Sequence, residues 1–455
     1  MSRKRRYACD WASEPFCVFR HDPIEMRLQT AGVGSIAVFL GLLVITLGVK
    51  ILIAAISGTL ISPSLANDLA MDSANLPFLS LPAQGVRLML TAFPSAVGEW
   101  MWSVLLSVAG GTYGEQTGSG VHVIPYARDY ADPLLMILIS LNLAFIHRHW
   151  RLISHAPTAM MKTGVLNSNV VKYKTFTAIC KTADRRVNSR GSTVAIAAAA
   201  VTLIVVAYGV VIPRWGMYPL LQPGGHALGA WEKEAYAGWW AHPSRDVVGY
   251  VYQMLMMLAG AYYILRHNWV GVVSLLMLRA LFKLDKGASE DESTFKLIAY
   301  HSDGYAGLKP LQSIIVMVFL NVLVGSLIIL TLLLYVPTGA AFLLLIYVFL
   351  LFALNPLFVI LPLRAIHSEV QAQKDERAEE LNRYLQRLSK DLMDSKASYT
   401  DAELKLMEMR YKIKRDELTQ LLNVPTHLFS FSRVLAFSAV YLIPIALAIW
   451  QLAGL

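Results

Sequence analysis

The chain has 455 residues, 56% apolar and 16% charged, with mean hydropathy +0.49 and a formal net charge of +9. Water-soluble domains carry about a quarter of their residues as charged side chains, so most of this chain is built for solvation by lipid. That excludes an ordinary soluble enzyme and points to an all-α, polytopic membrane protein.

Residues 1–33 form a polar N-terminal tail that opens with Arg3, Lys4, Arg5 and Arg6. Within it, Asp22 followed by Pro23 reads as a helix cap and first turn. Apolar runs suited to a hydrocarbon core about 30 Å thick follow at 34–60, 133–146, 193–212, 247–265, 311–335, 339–361 and 434–455. The expectation is about seven transmembrane helices, the second of them short. A further apolar stretch, 86–110, is broken by Pro94 and Glu99 and reads as an interfacial or re-entrant helix. The resulting domains are a tail (1–33), a membrane domain of six spans (34–362), a helical hairpin (363–430) and a last transmembrane helix (431–455).

Lys/Arg placement gives the orientation. With the N-terminus inside, segments 1–33, 147–192, 266–310 and 363–433 hold 6, 9, 6 and 13 of the 40 cations. The outer segments hold only Arg87, Arg128, Lys233 and Arg245, while Lys50 and Arg214 sit near helix ends. The expected place is a bacterial inner (plasma) membrane, with the N-terminus cytoplasmic and the C-terminus outside. The basic inner loops suit anionic headgroups of the lipid bilayer. No nucleic acid is expected, because aromatic residues do not alternate with the cations as a stacking platform requires. Cys9, Cys17 and Cys180 all fall on the inner side, where reduced thiols are expected.

The second outer loop, 215–246, carries Trp215, Tyr218, Trp231, Tyr236, Trp239 and Trp240. These read as an aromatic belt, or alternatively as an outer vestibule built from Trp231, Trp239 and Trp240. The fourth span meets no proline from 247 to 285, so one helix of about 58 Å would outrun the bilayer. Its tail, 270–282, must then pack on another inner helix. Before the fifth span, His301, Asp303, Gly304 and Gly307 form a turn with freedom for positive φ, with a gating or ion-binding elbow as the sharper reading.

Segment 363–433 carries 13 Lys/Arg and 12 Asp/Glu. Leu381, Leu385, Leu388 and Leu392 repeat as a seam for one partner helix. Thr400 to Glu403 reads as a capping box that opens a return helix with Leu404, Met407, Tyr411 and Leu418 on its apolar face. This hairpin is expected to assemble a homo-oligomer or to dock a cytoplasmic protein.

Catalytic, cofactor and metal motifs are missing from the sequence. The histidine cluster His147, His149 and His155, with Arg148, lacks the boxes of a di-metal site, and headgroup contact is the expectation. Inside the spans stand the amides Asn142, Gln253, Asn321 and Asn355, with Lys50 and Asp132 towards the outer ends. So few ionisable groups argue against a proton-driven pump and permit a passive pore.

Two resemblances add to this reading. The run His301-Ser302-Asp303-Gly304 with Gly307-Leu308, then 356–363 and His367, resembles uncharacterised bacterial multi-pass proteins whose loop reads H-P-D-x-x-G-G-L. Here Ser302 replaces the proline and Ala306 the first glycine of the pair; the resemblance implies no activity. In topology alone the chain is similar to the insect odorant and gustatory receptor channels, which are tetrameric cation channels. That resemblance implies a pore lined by 434–450 and assembly through 363–424. The leading expectation is therefore an oligomeric ion channel or receptor-channel and not an enzyme. A non-conducting structural or signalling subunit and a lipid-modifying membrane enzyme are the alternatives.

Overall fold

A computed structural model of the chain describes residues 16–20, 22–60, 115–116, 122–129, 131–165, 170–216, 228–282, 307–333, 355–394 and 400–423. The architecture is all-α. Among the described residues the named strands are a two-residue antiparallel pair, β1 (Glu115–Gln116) and β2 (His122–Val123), with Glu115 opposite Val123. Among the described residues, five helices are long and apolar enough to cross a membrane: Ser35–Ile56, Ala131–Lys162, Phe176–Trp215, Val247–Leu281 and Lys309–Ile328. They coincide with the first five expected spans. Segments 86–110, 339–354 and 434–455 lie outside the described residues.

Helix α1 (Pro23–Thr30) starts as expected: Asp22 Oδ1 accepts from the amides of Ile24 and Glu25 at 3.1 and 2.9 Å. Helix α2 (Ser35–Ile56) contains a π turn at Val44–Gly48. Helix α3 (Ala131–Lys162) is the central post; two thirds of its membrane window is buried, against 17% for α2. It is far longer than the short span expected at 133–146. Beyond Ile146 the buried positions continue at Trp150, Ile153 and Met160, a helical spacing masked in sequence by His147, Arg148 and His149.

Helix α4 (Val170–Val187) leads through Ser189, which caps the Ser192 amide, into α5 (Arg190–Val206). That helix continues through a second π turn, Ala207–Val211, to Trp215. Helix α6 (Leu228–Gly238) precedes α7 (Val247–Phe282), whose 36 residues span about 54 Å. Helix α8 (Lys309–Leu333) packs along α3, and α7 leans on α3, α4 and α5. Outward-facing Ile36, Leu40, Val44, Val194, Val201, Val248 and Val251 leave an apolar surface that suits acyl chains.

Two cores stack along the bundle. One joins Leu135, Ile139, Ile204, Tyr208, Trp239, Trp240 and Ile328 at the end where α3 begins. The other joins Trp150, Ile153, Cys180, Val270, Met277, Leu281 and Ile314 around residues Phe16 to Phe19. The projecting tail of α7 is thus packed as its apolar positions required. Segment 16–19, which ends in a turn, is held by polar groups too: Asp184 Oδ1 accepts from the Cys17 amide at 3.1 Å, Ser154 Oγ from the Val18 amide at 3.2 Å. Asn188 Nδ2 donates to the Cys17 carbonyl at 2.9 Å. Cys180 is a buried free thiol.

Helices α9 (Asn355–Asp394) and α10 (Asp401–Asn423) pack against each other, and α9 also leans on α7. Their polarity is opposed: Lys374 Nζ donates to the Leu422 carbonyl at 2.7 Å, and Arg377 meets Glu417 at 3.6 Å.

Candidate functional site

The polar centre of the membrane helices lies in the first core. Lys50 is six residues from the end of α2, about 9 Å inside it. Asp132 stands in the first turn of α3, and Gln253 in the second turn of α7. Opposed helix directions bring all three to one level. Lys50 Nζ donates to Asp132 Oδ1 and Oδ2 at 2.7 and 2.9 Å and to the amide oxygen of Gln253. Both side chains of the ion pair have no solvent exposure. Gln253 Nε2 completes the ring by donating to Asp132 Oδ1 at 2.9 Å and to the Tyr208 hydroxyl at 3.2 Å. Lys50 and Asp132 stand towards helix ends as expected, but they are paired and buried rather than isolated.

Both π turns stand at this level. Inserting one residue into a helix frees a backbone carbonyl, and such bulges gather at functional sites. The hydroxyl of Tyr252 donates to the Ile45 carbonyl in the first π turn, and Tyr250 donates to the Tyr208 carbonyl in the second at 3.0 Å. Helix α7 thus braces both bulges with two tyrosines that stand just before Gln253. One turn deeper, Thr46 and Ser140 hydroxyls meet at 3.0 Å.

A lid closes the site towards the nearer end of the bundle. A 3-10 turn, Tyr126–Arg128, hangs from residues 59 and 60 through the amides of Tyr126 and Ala127 at 2.8 and 2.9 Å. Asp129 Oδ2 accepts from both indoles, Trp239 at 2.8 Å and Trp240 at 2.9 Å, while its Oδ1 accepts the Asp132 amide at 3.2 Å. Burial, with Asp132 and Asp129 nearby, holds the Tyr126 phenol well above its usual range, so it stays neutral. Trp239 and Trp240 are buried core residues of this lid, neither a lipid-facing belt nor the lining of an open vestibule. Trp231 lies in α6 and its side chain is outside the described residues.

A second polar layer lies about 22 Å further along α3. His147 Nδ1 sits 2.7 Å from Glu25 Oε1 and its Nε2 3.2 Å from the Val33 carbonyl, with Gln29 Nε2 donating to Glu25 at 2.6 Å. His149 Nδ1 lies 3.4 Å from both His267 Nε2 and Asn321 Nδ2, and Asn142 donates to the Asn321 carbonyl at 3.2 Å. Arg266, also buried, stacks over Trp150 at 5.8 Å and donates to the Val18 carbonyl at 3.4 Å. His147 and His149 are therefore interior groups, not the headgroup contacts expected of them. Among the described residues, no three or more His, Cys, Asp or Glu side chains gather as a metal site would need.

Gly307 has the positive φ its loop implied, +87°, while His301, Asp303 and Gly304 lie outside the described residues. On α9, Leu381, Leu385 and Leu388 are buried and Leu392 is half-buried; on α10, Leu404, Met407, Tyr411 and Leu418 are half-buried and Leu421 is buried. A cleft of about 520 Å³ runs between the pair, lined by Asn382, Gln386, Lys390, Tyr411 and Arg415 among others. The Lys50 cluster was the group that sequence reasoning missed. Its signal was a lysine and an aspartate in consecutive apolar spans.

No family model, curated protein or solved structure matches the chain.

Proposed function

We propose that this chain is a membrane carrier that moves a small cation across the bilayer through the closed Lys50–Asp132–Gln253 site. The observation that carries the reading is an ion pair without solvent exposure, shared by three membrane helices of which one contains a π turn. An ionisable group inside a span is costly, and those that persist mark ion or substrate paths. A passive pore would need a continuous wet path at this level. Here Tyr126, Trp239 and Trp240 cover the site from one side and α3 is largely buried, which favours a carrier that opens to one side at a time. The proposal keeps the expected topology of seven spans with a cytoplasmic N-terminus in a plasma membrane.

Flux into proteoliposomes tests it. Wild-type protein should carry an alkali cation or protons down an imposed gradient. Asp132→Asn should lower the rate by about tenfold or more, the effect of about 1.4 kcal/mol, while the protein still elutes as a single folded species. Equal flux in the two proteins would refute the carrier reading, and unitary current steps from the wild type would restore the pore.

Assembly through α9 and α10 is a second reading. Leu406, Met409 and Ile413 form an exposed stripe on α10, away from the α9 seam. The near-equal cations and anions of 363–433 make a second copy the charge-matched occupant. Leu406→Glu with Ile413→Glu should lower the oligomer order measured by light scattering; an unchanged order would remove the interface.

A further inference from the structure

We infer that the oxygen cage around Lys50 binds a hard monovalent cation, which enters in exchange for the proton of the Lys50 ammonium. The inference rests on the carrier reading for its purpose and on the cage alone for its chemistry.

Three oxygens face Lys50 Nζ, two from Asp132 at 2.7 and 2.9 Å and one from the Gln253 amide. The orientation of that amide is set by its other end, since Gln253 Nε2 donates to Asp132 Oδ1 and to Tyr208. A carboxylate and a carbonyl, without imidazole or thiolate, suit a hard cation and not a soft one. The ammonium occupies the position such an ion would take. It acts as a tethered competitor.

Charge decides the valence. Of the groups in contact at Nζ, protonated Lys50 and ionised Asp132 sum to zero with no solvent exposure; the buried Asp129 carboxylate is engaged separately, by the two indoles and the Asp132 amide. Adding a cation while keeping the ammonium would leave one uncompensated charge, and a buried unpaired charge is heavily penalised. When a monovalent ion enters, the balance is kept if one ammonium N–H bond breaks, its electron pair stays on Nζ and the proton leaves to water. A divalent ion would leave one unit of charge over even then. The other titratable groups around the cage are Asp129 and Tyr126 from the turn before α3, Tyr208 from α5 and Tyr252 from α7. None of them is a second cation.

The lever for release lies in the same helices. The π turn at Val44–Gly48 ends one residue before Val49 and two before Lys50, and the π turn at Ala207–Val211 contains Tyr208. Lys50 thus follows one π turn by two residues, and Tyr208, which holds Gln253, lies within the other.

The test uses the full chain in detergent or nanodiscs. Sodium, lithium or potassium chloride is added to weakly buffered wild-type protein with a pH dye, against N-methylglucamine chloride as control. Release of up to about one proton per chain is expected for at least one of the three ions, and none from Asp132→Asn. In Lys50→Met the cage keeps its anion but has no ammonium. That variant should gain about 2–4 °C in Tm when the ion exceeds its Kd about tenfold, and Lys50→Met with Asp132→Asn should gain nothing. Should Lys50→Met fail to fold, Lys50→Gln and the wild-type proton count decide. Wild-type protein that releases no proton with any of the three ions overturns the exchange, as does a larger Tm gain from magnesium or zinc than from any of them. Flux without proton release would sink this inference and spare the carrier; proton release without flux would do the reverse.

Discussion

Asp132 holds Lys50 and Gln253 at once, so its loss should be felt twice. Asp132→Asn strands the Lys50 ammonium in a site without water and should cost about 3–5 kcal/mol in reversible unfolding. The double change Lys50→Met with Asp132→Leu removes both charges and should recover most of that loss, within about 1–2 kcal/mol of wild type. A double variant as unstable as the single one would show that the pair is not the source. Gly307 gives a cleaner backbone case. A Cβ there would stand 2.2 Å from Val165 Cγ2, in a conformation with φ of +87°. Gly307→Ala should therefore destabilise by about 1–3 kcal/mol, read as a Tm loss in detergent. Local signals of this kind were legible in sequence: Asp22 with Pro23, and the positive φ of Gly307, depend on neighbours in the chain. The Lys50 pair was not, because its partners are 82 and 203 positions away. Only the relative depth of three helices brings them together.

At the scale of elements, the helix starts and the leucine seam followed from spacing, and the limits of α3 did not. His147, Arg148 and His149 look like the end of a span, yet their imidazoles are absorbed by Glu25, the Val33 carbonyl, His267 and Asn321. A polar run is a helix end only when nothing inside the protein can satisfy it. The α9–α10 pair offers a graded check. Leu385→Ala removes a buried side chain from the seam and should cost about 2–4 kcal/mol, while the exposed Leu406→Ala should stay within about 0.5 kcal/mol in a monomeric background. Equal losses would mean that the seam lies elsewhere. The start of α10 carries its own pH signature. Thr400 donates both its amide and its hydroxyl to Glu403 Oε2, at 2.9 and 2.8 Å, and these bonds hold the carboxyl below its usual range. A depressed carboxyl stabilises the folded helix above the unfolded value of about 4.3. That contribution is lost as pH falls through the lowered folded value. Side-chain NMR of Glu403 should show a midpoint below that of a free glutamate; a midpoint at or above it would dismiss the capping box.

For the whole molecule, hydropathy announced the five long helices found among the described residues. What composition could not announce is that the bundle is built in two polar levels joined by one post, α3. Nor could it show that residues 16–19 are drawn into the far core by Asp184, Ser154, Asn188 and Arg266. Deleting residues up to Arg20 should expose the Trp150–Leu281 cluster and lower Tm by several degrees, since four fully buried side chains leave at once. An unaltered Tm would mean the segment merely rests there. The two π turns have a mechanical meaning at this scale. Each stores one surplus residue, and expelling it would swing everything downstream by about 100° with a rise of only about 1.5 Å. In α2 that twist would carry the Lys50 side chain off the face it shares with Asp132 and leave the stretch before Val44 in place. Tyr252 and Tyr250 then serve as the catches that keep the two springs wound.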